Sequence, residues 1–188
     1  MATYSDIMID LETMGTGKDA CILAIAAVYF DPKTGDIGDE FYTNINLQSN
    51  INAGREIDAS TLLWWMQQEK SAQDQVFSLN HTEPKLSEAI KSFADFFKTD
   101  SHKVWGNGAI FDISILETAF KKCKTPLPWK FWNVRDVRTA VEMGQILDFN
   151  PKKDMPFTGT RHNALDDSKH QAKYVSAIYK RILESGEF

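Results

Sequence analysis

The residues of this 188-residue chain that could do chemistry are four scattered acids and one histidine. Asp10 and Glu12 stand directly after the apolar run Ile7-Met8-Ile9. If the chain stays extended there, residues two apart point the same way, so Met8, Asp10 and Glu12 share a face. Two carboxylates at the end of a buried strand repel each other and are costly to desolvate, so stability alone does not explain them. The bland alternative is a strand that ends at Ile9 and leaves both acids in water. Asp112 follows the turn Gly106-Asn107-Gly108 and falls in the first turn of a helix. A glycine turn lets a substrate backbone approach closely, and a helix start favours an acid through its dipole. Helix-start electrostatics would account for Asp112 by itself. His162 lies just before a long C-terminal helix, with Asp166 and Asp167 in its first turns. Adjacent helical residues point about 100° apart, so the two aspartates cannot face one site. With Asn163 as N-cap, Asp166 falls at the third helical position, where it can reach back to the cap backbone in a variant capping box. That leaves Asp167 to point inward.

Together these acids and His162 make a hard, oxygen-rich ligand set. Carboxylates without thiolates suit magnesium or manganese rather than zinc. Two such ions about 3.5 to 4 Å apart can clamp an in-line phosphoryl displacement. His162, with an ordinary pKa near 6.5, can take a proton from water at neutral pH.

The surrounding pattern supplies elements to hold the set. Ser5 to Asp10 and Ala20 to Phe30 are apolar runs. In Glu40 to Leu47, Phe41, Thr43 and Ile45 alternate with Tyr42, Asn44 and Asn46, as in a half-buried strand. Short connections between them predict an antiparallel meander. The period then lengthens to about 3.6, predicting helices over 58–70 and 85–98, the second striped by Leu86, Ile90, Phe93 and Phe97. A strand over 102–105, a helix over 110–122, a strand over 129–134 running into a helix to Met143, and a closing helix over 164–184 complete the expectation. Meander followed by alternating helices and strands predicts an α/β sandwich on a mixed sheet. Residues 1–188 contain no repeat and no long linker, so one domain is expected.

The chain carries 43% hydrophobic and 25% charged residues, which excludes a disordered polar chain. No run approaches the ~20 apolar residues needed to span a bilayer, and the first residues lack the pattern of a secretory signal, so no membrane partner is expected. Cys21 and Cys123 form neither a disulfide framework nor a metal spacing, and read as free thiols in a reducing cytoplasm. A net charge of −5 argues against electrostatic coating of nucleic acid. Residues 121–161 are the exception, with nine basic side chains against four acidic ones, either a solvated surface or a track for a phosphate backbone.

The motifs Ile9-Asp10-Leu11-Glu12-Thr13, Gly108-Ala109-Ile110-Phe111-Asp112 and His162-Asn163-Ala164-Leu165-Asp166-Asp167 resemble the DnaQ-like 3′–5′ exonucleases of the DEDDh type, in order and from end to end. Within that group the chain looks most like the phage and prophage branch called exodeoxyribonuclease VIII-like, related to small bacterial 3′–5′ exoribonucleases. The stretch from Asp58 through Trp64-Trp65-Met66 adds to that impression. The resemblance implies a ribonuclease H-like fold, with a five-stranded mixed sheet flanked by helices. It implies two magnesium or manganese ions held by Asp10, Glu12, Asp112 and Asp167, with His162 as general base. It also implies stepwise release of 5′-mononucleotides from the 3′ end of DNA or RNA. The doubled Asp166-Asp167 is the one departure from the pattern.

Substrate contacts extrapolate from the same resemblance. Backbone at Thr13 and Met14 maps to the residues that hold the terminal sugar in relatives, and Asn107 and Phe111 could line that pocket. Trp64 or Trp65 could stack on a base, against core packing as the alternative. Arg161 could touch a phosphate. His81, His102 and His170 read as surface residues. Two other functions compete: a catalytically silent nucleic-acid-binding module of the same fold, and a processing subunit acting through a partner, with homodimerisation through an exposed aromatic face compatible with either. Unneeded buried carboxylates cost stability, which argues against silence.

Overall fold

In the computed structural model, residues 4–77 and 82–186 are described. Five strands form one mixed sheet in the order β3-β2-β1-β4-β5: β1 (Asp6–Thr13), β2 (Ile22–Phe30), β3 (Ile37–Asn44), β4 (Lys103–Gly106) and β5 (Val134–Asp136). The meander β1-β2-β3 is antiparallel, whereas β4 and β5 add parallel to the other edge of β1. β1 is therefore the strand where the direction of pairing changes, and the carboxyl ends of β1 and β4 lie side by side. In open α/β sheets such a crevice is the usual place for a ligand.

Alternation along β1 distributes its side chains between two cores. Ile7, Ile9 and Leu11 pack on one side against α4 (Leu86–Phe96) and α5 (Ala109–Lys122), together with Ile90, Phe93, Leu116 and Phe120. Met8 packs on the other side, with Val28, Phe30 and Trp105, against α6 (Val137–Ile146) and the long α8 (Ala164–Ser185). The register predicted for Asp10 and Glu12 therefore holds, since both follow Met8 onto the α8 side. A third, smaller core around Met14, Leu23 and Trp65 sits beneath α2 (Ala59–Trp65) and α3 (Lys70–Val76).

Several boundaries differ from the sequence expectation. The helix expected over 58–70 is two helices, α2 and α3, separated by a turn after Met66. The strand expected over 129–134 begins only at Val134. Trp129 instead packs its ring against Phe97 and Phe120, and Phe131–Asn133 make a 3₁₀ turn. Side-chain packing outcompetes β-propensity there, because a tryptophan buries more area in an aromatic cluster than on a three-residue edge strand. Short helices α1 (Leu47–Asn52) and α7 (Pro151–Asp154) start on the side-chain caps of Asn46 and Asn150. His102 and His170, expected at the surface, are buried at 8% and 6% exposure. His102 lies edge-on to Tyr29, and His170 is held between Phe157 and Tyr174. An imidazole has enough apolar ring to pack with aromatics once one face of its helix or strand is buried. His81 lies outside the described residues.

Candidate active site

Asp10 and Glu12 reach the end of β1 pointing toward α8, and Asp167 comes down from the first turn of α8 to meet them. Asp10, Glu12 and Asp167 can each offer a carboxylate oxygen with all three atoms within 4.8 Å of one another. Asn163 caps α8 by accepting from the backbone N–H groups of Leu165 and Asp166, which fixes the helix phase. Asp166 turns away as expected, but the predicted capping box does not form. Its carboxylate accepts from the N–H of Thr160 at 2.8 Å, so it holds the preceding loop rather than the cap residue. The N–H of the cap residue Asn163 donates instead to the Thr160 carbonyl at 3.2 Å.

Asp112 approaches from α5. Gly106 makes room for it: a Cβ there would lie 3.1 Å from an Asp112 carboxylate oxygen. Asp112 is 2% exposed, and the backbone N–H groups of Leu11, Asn107 and Asp112 itself lie near enough to its carboxylate to favour its charge. Burial pushes this carboxyl up to about 7 in spite of those donors and of the nearby Arg138 guanidinium. Asp10 is driven well above the ordinary range by burial first, then by the charges of Asp112, Glu12 and Asp167, while the Gln171 amide donates to it at 2.8 Å and pulls the other way. Glu12 is likewise raised by burial and by Asp167 and Asp112. Asp167 is pushed up to about 6, chiefly by burial, with the N–H of His162 and the charge of Arg161 opposing. Four acids that each resist ionising for lack of counter-charge make a site that gains from a cation. The donor set fits hard divalent ions, being all oxygen, and the buried, unpartnered Oδ1 of Asn107 and Oε1 of Gln171 add acceptors at its edge.

His162 stands beside Asp167 on the loop before α8. Its backbone is left-handed, with φ 61°, a conformation that costs energy for a residue with a Cβ. Its N–H donates to Asp167 at 3.0 Å, and its ring stands edge-on to Trp64 at 5.0 Å. Burial, and then the charge of Arg161, lower the imidazole below its ordinary value, which keeps it neutral and able to accept a proton near pH 7.

Next to the carboxylates lies a cavity of about 420 Å³ lined by Leu11, Glu12, Thr13, Gly15, Thr16, Ser60, Thr61, Trp64, Trp65 and Phe111. Thr13 and Phe111, expected there, are present. Two expected contacts are not available to a ligand. Trp65 is 1% exposed and donates its indole N–H to the Thr13 carbonyl at 2.9 Å, so it braces the wall from behind. The ring that faces outward is that of Trp64, 39% exposed. Met14 is buried at 2% in the third core, and its backbone N–H and carbonyl are bonded to Cys21 and Asp58. Asn107 lies beside Asp112 rather than in the cavity wall, and Arg161 is exposed over the Phe157 ring. Gln171 and Gln75 were not anticipated. Gln75 on α3 accepts from the side-chain amide of the cap residue Asn163, and its carbonyl accepts from Asn44 at 2.6 Å, tying the histidine loop to the sheet edge. Lone glutamines at these spacings carry no motif by which sequence reading could have found them.

A family profile for the 3′–5′ exoribonuclease Rv2179c-like domain matches residues 5–179. The chain belongs to this family. The exonuclease is also 27% identical to the exodeoxyribonuclease of Enterobacteria phage T4, over an alignment of 164 residues covering 73% of this chain and 70% of that one. Solved structures of other exonucleases share its fold. The nuclease domain of 3′hExo, a DEDDh family member bound to rAMP, superposes with a TM-score of 0.58 at 19% identity, covering 99% of this chain and 96% of the other. E. coli Exonuclease I in complex with a dT13 oligonucleotide gives 0.66 at 11% identity, with 96% of this chain matched to 42% of that one. The exonuclease thus has the expected ribonuclease H-like architecture, and its activity is removal of nucleotides from the 3′ end of a nucleic acid. Among the described residues, no helix is long and apolar enough to cross a membrane.

Proposed function

We propose that residues 1–188 act as one exonuclease domain that hydrolyses DNA or RNA stepwise from the 3′ end, releasing 5′-mononucleotides, with Asp10, Glu12, Asp112 and Asp167 as ligands for two magnesium or manganese ions and His162 as general base. The convergence of three carboxylates within 4.8 Å, with the buried Asp112 close enough to push up Asp10 and Glu12, is the observation that carries this reading. When bound, the two divalent ions supply positive charge against the in-line phosphoryl displacement. His162 takes a proton from the attacking water as the water oxygen bonds to the phosphorus of the terminal nucleotide. The bond from phosphorus to the 3′ oxygen of the preceding nucleotide breaks, and that oxygen ends as a hydroxyl after gaining a proton from solvent. Thr13 and Phe111 line the cavity that would hold the terminal nucleoside, and the exposed face of Trp64 suits its base. The exposed Arg161, whose charge is felt at His162 and Asp167, is a candidate partner for a substrate phosphate. The free thiols, Cys21 buried and Cys123 half-buried, suit a reducing cytoplasm.

The test is digestion of matched DNA and RNA strands labelled at the 5′ or the 3′ end, with magnesium, with manganese and with EDTA. The expected result is release of mononucleotides from the 3′ label first, abolished by EDTA and by Asp10→Ala. Internal fragments, or activity that survives chelation, would refute the mechanism, and binding without cleavage in any metal would favour the silent module.

A further inference from the structure

The chain has five arginines, and the structure gives four of them partners. Arg55 is buried and donates to the carbonyls of Ala20 and Ile115 and to Thr118. Arg135 donates to the carbonyls of Trp132 and Val134. Arg161 and Arg181 lie over the rings of Phe157 and Phe149. Arg138 has no hydrogen bond, ion pair or ring contact among the described residues, and it is exposed. Ordered guanidinium groups usually find an acceptor, because five donors in a fixed fork are costly to leave without one except in water.

Its position is nevertheless set by the fold. Asp136 caps α6 by accepting from Thr139 N–H at 3.0 Å and also accepts from Ala109 N–H at 2.5 Å, which locks the start of α6 to the start of α5. Arg138, in the first turn of α6, is thereby laid over Gly108. That glycine has φ +108°, and a Cβ added to it would lie 2.9 Å from the guanidinium carbon. The glycine leaves a bare shelf on which the planar group rests. From there its charge reaches Asp112 and lowers that carboxyl, yet it is not among the residues that line the cavity beside Glu12.

Resting on the exonuclease reading above, we propose that Arg138 binds a phosphate of the strand upstream of the scissile bond, so that it selects for polynucleotide over substrates with a single phosphodiester. A terminal nucleoside in the cavity beside Glu12 and Thr13 puts the scissile phosphate at the carboxylates. The strand must then leave the cavity, and Arg138 is a cation outside its lining whose charge is felt at Asp112. A planar fork matches a phosphate in two-point contact, which an ammonium cannot do.

The test compares wild type, Arg138→Gln and Arg138→Lys on the oligonucleotide dT10 and on the p-nitrophenyl ester of thymidine 5′-phosphate, which has no upstream phosphate. Arg138→Gln is expected to lower the ratio of kcat/KM for dT10 over that for the ester about tenfold, through KM rather than kcat. The slope of log(kcat/KM) for dT10 against log salt should fall by about 0.7, the loss of one single-strand phosphate contact. Arg138→Lys should restore the salt slope but only part of the ratio. Equal losses on both substrates would mean that Arg138 acts through Asp112 or the scissile phosphate, and no change in either would remove it from the strand path. Either result overturns the proposal. Anisotropy of labelled dT10 with the Asp10→Asn protein, with and without Arg138→Gln, keeps the two readings separable. A wild type that cleaves neither substrate refutes the exonuclease mechanism, while the binding difference still decides for or against Arg138.

Discussion

The backbone N–H of His162 donates to Oδ2 of Asp167 across 3.0 Å, although the two residues are five apart in sequence and serve different steps of the proposed reaction. The bond holds His162 in a left-handed conformation that a β-carbon residue would otherwise leave. The proposed proton acceptor and the proposed ligand are therefore one mechanical unit. Loosening either displaces the other.

Asp166 and Asp167 should accordingly separate cleanly on mutation. Asp167→Asn is expected to abolish hydrolysis and to weaken manganese binding by at least tenfold in calorimetry, because it removes one of the converging carboxylates. Asp166→Asn weakens the acceptor for Thr160 N–H and should cost about 1 kcal/mol of stability while keeping most of the metal affinity. The reverse pattern would show that α8 presents the other aspartate to the site.

The raised carboxyls fix the sign of a pH effect. In the folded chain Asp112 titrates at about 7, against an ordinary value of 3.8. Between these values the unfolded chain has lost a proton that the folded one keeps, so the contribution of Asp112 to stability is complete below about pH 4 and is lost as pH rises through 7. His102, His162 and His170, held below their ordinary value mainly by burial, act in the opposite direction below about pH 6.5. The difference between Asp112→Asn and wild type isolates the acid. Without metal, the variant should be more stable by about 4 kcal/mol at pH 8 and by nearly nothing at pH 4, measured by denaturant unfolding. Added magnesium should stabilise wild type at pH 8 and the variant much less. A gap that is largest at pH 4 would refute the assignment.

Much of this site was legible in the sequence because its parts obey local rules. The two-residue period of β1 put Asp10 and Glu12 on the face of Met8, and a single N-cap at Asn163 fixed which of two aspartates turns inward. Where the outcome depended on contacts between distant segments, the sequence was silent. Neither Gln75 reaching Asn163 nor Gln171 reaching Asp10 follows from any spacing. The neighbouring tryptophans Trp64 and Trp65 are chemically identical in the sequence, and only the helix phase of α2 against the third core separates them. His170 was misplaced for the same reason, since its burial depends on where Phe157 in the preceding loop comes to rest.

Gln171 gives a test of the outer layer of the site. It donates to Asp10 Oδ1 at 2.8 Å from the next turn of α8 after Asp167, and it is 6% exposed. Gln171→Leu keeps the volume and removes the donor that orients this carboxylate. Manganese affinity should fall about tenfold with little change in melting temperature. An unchanged affinity would show that Asp10 is held by β1 alone.

The tryptophan pair separates stability from substrate binding. Trp65 fills the third core and bonds to the Thr13 carbonyl, so Trp65→Ala should cost about 3–5 kcal/mol and lower activity only through loss of folded protein. Trp64 is partly exposed, lines the cavity and meets the ring of His162 edge-on. Trp64→Ala should leave the unfolding midpoint close to wild type, yet raise KM for an oligonucleotide about tenfold, the size expected for one lost base stack. Trp64→Phe keeps a flat face and should recover most of that loss. If kcat falls with Trp64→Ala while KM holds, the indole serves His162 rather than the base. If Trp65→Ala unfolds no more easily than Trp64→Ala, the division between buried brace and exposed platform is wrong.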